Sequence, residues 1–173
     1  MIHIYIDAEY LFTVALRENQ VPNYKTLIEM MKTNYLDCII NIYFVGSKDK
    51  KRGLMDFLHK MGVNYIHIIE LSNCSKTQVM GSALAWDVCL QSLNPKSEKF
   101  VFVSGDDYLV PIVDSLMKDN YPVDIYYASL ICSRGLTYKD NMKMIPLSHA
   151  NFMYPVGKEI TDGNAGYYKR TKE

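Results

Sequence analysis

The chain carries no excess of either charge, no paired cysteine motif, no histidine cluster and no long apolar run. Each absence removes a class of function. Lys and Arg total 19 against 19 Asp and Glu, so no overall basic field draws the chain to nucleic acid or membrane. Contact with a polyanion would have to come from a local patch. The cysteines, Cys38, Cys74, Cys89 and Cys132, are widely spaced, with no C-x-x-C. That spacing argues against a zinc knuckle or a disulfide framework and for free, mostly buried thiols in a reducing compartment. His3, His59, His67 and His149 show no ligand spacing. No apolar stretch approaches the roughly 18 residues that a membrane span requires. Met1–Ile6 runs straight into Asp7, too soon charged for the apolar core of a secretory leader. The expectation is a soluble, cytoplasmic protein with no membrane partner.

What remains is an ordinary globular composition, 49% hydrophobic and 22% charged over 173 residues, enough for one domain with a real core. Short apolar runs rich in β-branched and aromatic residues alternate with longer segments of helical period. Strands are predicted over residues 2–6, 37–45, 63–69, 100–104 and 123–128. Helices are predicted over 24–34, 50–61, 77–91 and 109–119, with a shorter one over 135–142. Ser75 or Thr77 would cap the third long helix, and Pro111 falls in the first turn of the fourth, where its missing N–H is harmless. Such alternation implies a mostly parallel sheet of about five strands with helices on both faces. Residues 1–147 form this domain. Residues 148–173 break the pattern and read as a C-terminal extension: a loose tail, a basic-aromatic arm lying on RNA, or a segment that builds a homo-oligomer.

In open α/β sheets ligands bind outside the carboxyl ends of the strands. The first strand ends at Asp7, with Glu9 just beyond. The second is followed by Lys48, Lys50, Lys51 and Arg52. The third leads to Lys76. The fourth delivers Ser104, Asp106 and Asp107 in the segment FVFVSGDDYLVP, residues 100–111, and the fifth leads toward Arg134. Carboxylates would gather at the centre of one edge with cations around them. Clustered carboxylates suit Mg²⁺ or Mn²⁺, and such ions activate water and steady charge on a phosphodiester. The cations would hold phosphates.

Each residue has a plainer use. Asp7 is also a turn former. Asp106 and Asp107 stand where a helix start favours an acid. The run from Lys48 to Arg52 also reads as a solvated helix face. Asp87 is the lone charge in the apolar segment ALAWDVCL, so it needs a partner or a ligand; a structural hydrogen bond to a neighbouring loop and a role in the site both satisfy that. A Gly-Asp-Asp run is also found in polymerase palms, but there it belongs on a hairpin, and here it follows a strand and opens a helix.

The segments IYIDAEYLF (4–12), YFVGS (43–47), KTQVMGSALAWDVCL (76–90), FVFVSGDDYLVPIVDSLMKDNYPVDIYY (100–127) and SRGLTYKDNMKMIPL (133–147) together resemble the NYN domains, a branch of the PIN-like ribonucleases. The resemblance spans residues 2–147 and is most specific over 100–127. It implies a PIN-like three-layer α/β/α sandwich and a Mg²⁺- or Mn²⁺-dependent ribonuclease site. Asp7 and Asp106 match the family's first and late metal-binding acids, and Asp87 matches an acid on the third helix. Three positions depart from the pattern. Tyr10 replaces an Asn, and Gly81 and Tyr108 replace acids.

Two functions follow as expectations. In the first, Asp7 and Asp106 bind the metal of an RNA-cleaving enzyme, Asp107 assists, Glu9 and Asp87 are substitute acids, and Lys48, Lys50, Lys51, Arg52, Lys76, Ser104 and Arg134 contact the nucleic acid. In the second, catalysis is impaired, Tyr108 stacks on a base, and the domain binds nucleic acid or a protein partner.

Overall fold

The computed structural model describes residues 1–47, 51–70, 75–129, 131–136, 140–148 and 153–155. Six parallel strands form the main sheet: β1 (Ile2–Asp7), β3 (Cys38–Val45), β4 (Tyr65–Ile69), β5 (Lys99–Val103), β6 (Val123–Tyr127) and β7 (Met142–Pro146), in the order β4-β3-β1-β5-β6-β7. The connections are α1 (Ala8–Arg17), α2 (Tyr24–Asn34), α3 (Arg52–Lys60), α4 (Lys76–Ser92) and α5 (Leu109–Lys118). A short β2 (Gln20–Pro22) pairs antiparallel with β8 (Met153–Pro155) outside the main sheet.

Strand alternation sends side chains to two cores. Ile4 and Ile6 of β1, Ile40 and Ile42 of β3 and Val101 of β5 pack under α1, α2 and α3. Tyr5, Tyr43, Phe100 and Phe102 face the other way, under α4 and α5. Continuous apolar strands are what burial on both faces demands. The result is the three-layer α/β/α sandwich.

The mostly parallel sheet is as expected, with six strands where about five were read. One expectation needs correction. The short helix expected over 135–142 is absent from the described part of that range, and Met142 instead opens β7, pairing in register with Val123. Only Met142 of that strand is fully buried, so its pattern is too weakly apolar to mark a strand. Helix α1 is not among the predicted elements; it starts directly at the end of β1 with no turn residue between them. Asp7 caps it, its side chain accepting from the N–H groups of Glu9 and Tyr10. Ser75 does cap α4, in a reciprocal box with Gln78. Tail residues 156–173 lie outside the described residues.

The sheet order places the switch in winding direction at β1. Chain that leaves β1 goes to β3 and β4 on one side, then returns to β5 on the other. The crevice beyond β1 and β5 is therefore where a ligand site belongs, and Asp7 and Ser104 stand at its floor.

Candidate functional site

Asp7 is buried, 1% exposed. Its Oδ1 accepts the backbone N–H groups of Glu9 and Tyr10, both at 2.9 Å. Its Oδ2 accepts the Tyr108 hydroxyl at 2.5 Å and the Ser104 hydroxyl at 3.4 Å. A carboxylate has about four lone-pair positions, so this one is fully used. Burial pushes its pKa up to about 6; the hydrogen bonds from Tyr108 and Tyr10 oppose the rise, and the nearby charges of Asp106 and Glu9 add to it.

The Ser-Gly-Asp segment after β5 is shaped by crowding. A Cβ on Gly105 would lie 2.5 Å from the Ile131 carbonyl and 2.7 Å from the Tyr10 hydroxyl, so only glycine fits. That hydroxyl donates to the Ile131 carbonyl at 2.5 Å and accepts the Ala128 N–H at 2.8 Å. Tyr10 thus clamps α1 to the segment after β6. Ser104 Oγ also accepts the Asp106 N–H at 3.3 Å, which turns the Asp106 side chain toward the crevice. Burial, with Asp107 beside it, raises the Asp106 pKa. Asp107 points away and accepts the Ser133 hydroxyl.

The two positions where acids were expected are one unit. Tyr108 lies against Gly81 of α4, where an added Cβ would stand 2.9 Å from Tyr108 Cβ and 3.2 Å from its ring. Absence of a side chain at 81 makes room for the ring, and the ring carries its hydroxyl to Asp7. Burial and the Asp7 charge hold that hydroxyl's pKa well above the usual tyrosine value.

A cavity of about 460 Å³ opens above this floor, between α1 and the start of α4. Asp7, Asp106 and Tyr108 form its base. Phe12, Thr13, Leu16 and Arg17 line it from α1, and Lys76, Thr77 and Met80 line it from α4. Glu9 is engaged: Oε1 accepts the Val45 N–H at 3.1 Å, and Lys76 Nζ lies 3.3 Å from Oε2. Lys51 is buried, 3.9 Å from Glu9 and 4.9 Å from the centre of the Phe44 ring, so it does not reach solvent phosphate. Arg52 and Arg134 are exposed and do not line this cavity. Lys48 and Lys50 lie outside the described residues.

Asp87 stands apart. It accepts the Tyr43 hydroxyl at 2.5 Å and lies 3.6 Å from His67 Nδ1, whose ring stacks on Tyr43 with centroids 4.3 Å apart. Met80, which does line the cavity, is seven residues earlier on α4, about 10 Å along the axis. Asp87 therefore serves a second polar cluster under α4. Arg17, by contrast, was not anticipated. It sits in the last turn of α1, on the stripe that also carries Tyr10 and Thr13, a position that emerges once Asp7 is seen to cap a helix.

The profile of the NYN domain family matches residues 1–145. The chain belongs to the NYN domain family. This is a PIN-like nuclease family. The fold is also similar to the crystal structure of a protein of unknown function from Vibrio parahaemolyticus, with a TM-score of 0.71 and 17% identity over 88% of this chain and 95% of that one. At that identity the likeness concerns the fold alone. No curated protein matches the chain.

NYN nucleases use divalent metal ions and act on RNA. The residues present here do not fit such an ion. Among the described residues no three Asp, Glu, His or Cys side chains converge as a ligand set. Asp7 has its lone pairs filled, Glu9 is tied to Val45 and Lys76, and Asp107 is tied to Ser133. Of the cavity's acids, Asp106 alone has no side-chain hydrogen bond, so an ion there would draw one protein carboxylate and take the rest of its shell from waters and substrate phosphates. No helix among the described residues is long and apolar enough to cross a membrane.

Proposed function

We propose that this NYN-fold domain binds RNA in the cleft between α1 and α4 without metal-dependent hydrolysis of its own. The observation that carries this reading is the Tyr108 hydroxyl on Asp7 Oδ2 at 2.5 Å, which takes up the carboxylate oxygen that a metal ion would have to share. The cleft supports binding in other ways. Arg17 and Lys76 flank it and suit phosphates. Phe12 and Leu16 offer an apolar wall for a base. Asp106 can accept a hydrogen bond from a ribose 2′-hydroxyl, which DNA lacks.

A second reading is a metal-dependent ribonuclease. It draws support from membership of a nuclease family and from the meeting of Asp7 and Asp106 at the switch point. It requires Tyr108 to leave Asp7.

The test pairs two assays on the same protein. Labelled single-stranded RNA is titrated by fluorescence anisotropy in EDTA, Mg²⁺ or Mn²⁺, and the same mixtures are run on a denaturing gel. Binding that survives EDTA with the RNA intact is the expected result. Cutting that needs metal and vanishes in Asp106→Asn would replace this reading with the second. Absence of binding in every condition would overturn both.

A further inference from the structure

The cleft between α1 and α4 is short of positive charge for the ligand assigned to it. Three acids, Asp7, Glu9 and Asp106, line it beside two cations, Arg17 and Lys76. Lys76 already lies 3.3 Å from Glu9, which leaves Arg17 to meet a phosphate. Sequence-independent affinity for a nucleic acid comes from such contacts. A strand held above a floor of acids therefore needs further cations from nearby chain.

The pairing of β2 with β8 sets where nearby chain comes from. Pro155 is in register with Gln20, three residues beyond Arg17, where α1 ends. Pro155 thus lies within about 16 Å of Arg17 along the backbone, about 11 Å of chain plus about 5 Å across the ladder. An extended chain spans up to about 3.6 Å per residue, so the path from Pro155 to Tyr167 covers up to about 43 Å. Helix α1, at ten residues, is only about 15 Å long. Positions 167–172 are within reach of every part of the cleft.

Their composition supplies what the cleft lacks. Tyr167-Tyr168-Lys169-Arg170-Thr171-Lys172 holds three cations, two aromatic rings and no acid, in a chain of zero net charge. Cations that track phosphates beside rings that stack on bases are the means by which proteins hold single strands. The cleft itself is a poorer partner for this run. Asp7 has its oxygens filled and Glu9 is paired with Lys76, so of the lining acids only Asp106 is left to attract a cation. A bound strand offers a phosphate at every nucleotide. We infer that residues 167–172 contact the RNA held in the cleft, with Lys169, Arg170 and Lys172 on phosphates past Arg17 and a tyrosine on a base. The inference rests on the RNA-binding reading of that cleft and extends it: the ligand is a single strand long enough to run beyond α1.

The test is an anisotropy titration of labelled single-stranded RNA in EDTA over a series of salt concentrations. The full chain is compared with Lys169→Ala/Arg170→Ala/Lys172→Ala and with Tyr167→Ala/Tyr168→Ala. A control, Lys60→Ala/Lys96→Ala/Lys118→Ala, removes the same charge from exposed positions outside the cleft. In the first variant the slope of log K against log salt should fall by about 2, three contacts at about 0.7 each. The control should keep the parent's slope. The tyrosine variant should bind about tenfold more weakly at the parent's slope. An unchanged slope in the first variant would overturn the inference, and so would an equal fall in the control, which marks a general field rather than contact. Tighter binding by the first variant would overturn it too, because the run would then compete with RNA for the cleft. A tyrosine variant that binds like the parent would overturn the stacking contact. A parent chain that binds no RNA would mark the failure of the cleft reading itself, and the inference would fall with it.

Discussion

Replacing Asp7 with Asn removes one titration and keeps most of the hydrogen bonds. The Asn carbonyl still accepts from the Glu9 and Tyr10 N–H groups, and its amide can donate to the Tyr108 hydroxyl. What disappears is the cost of ionising a buried acid. In the folded chain the Asp7 pKa rises from 3.8 to about 6. Between those values the folded state holds a proton that the unfolded state has released, so stability falls as pH rises through that window. A shift of about two units at 1.36 kcal/mol each amounts to roughly 3 kcal/mol lost by pH 7. Urea unfolding at steps from pH 4 to pH 8 measures it. The parent protein should lose stability across the window. Asp7→Asn should lack this fall, keeping the smaller downward slope from Asp106 and the upward slopes from His3 and His67, whose pKa values burial lowers, and should equal or exceed the parent at pH 8. Equal slopes in the two proteins would refute the claim that Asp7 is held as a strained, hydrogen-bonded acid.

Three further perturbations follow. Tyr108→Phe takes a hydroxyl from Asp7 Oδ2 and should cost about 1–3 kcal/mol in urea unfolding at pH 7, because the carboxylate stays buried with one bond fewer. Gly81→Ala sets a Cβ 2.9 Å from Tyr108 Cβ and should destabilise by about 1–2 kcal/mol net, since overpacking exceeds the roughly 1 kcal/mol that alanine returns in a helix; in a Tyr108→Ala background the same change should stabilise. Arg17→Ala should weaken single-stranded RNA binding and lower the slope of log K against log salt by about 0.7, the value for one phosphate contact; an unchanged slope would remove Arg17 from the interface.

The strands at the centre were legible because burial on both faces leaves a continuous apolar run, as in Phe100-Val-Phe-Val103, and the predicted bounds differ from β5 by one residue at each end and from β6 by one residue at its C-terminal end. The meeting of Asp7 and Asp106 was legible from topology, since both leave neighbouring strands at the carboxyl edge. The contact of Tyr108 with Gly81 was not. It joins two elements 27 positions apart, and linear spacing does not say which side chain fills which gap. Arg17 was hidden for a related reason. Asp7 was weighed as a turn former and as a metal acid, while its use as a helix cap set the path of α1. Asp87 illustrates the opposite case. A lone charge in an apolar helix required a partner, and Tyr43 and His67 supply one, with no link to the cavity at the switch point.

The fit between position 81 and position 108 has a historical consequence. With the ring in place, any side chain at 81 collides with it. With the ring gone, a void opens and a buried acid loses a donor. Each residue thus makes the other costly to change alone, and the two behave as a ratchet. A chain that carries the pair changes either site only through a disfavoured intermediate or by altering both codons together.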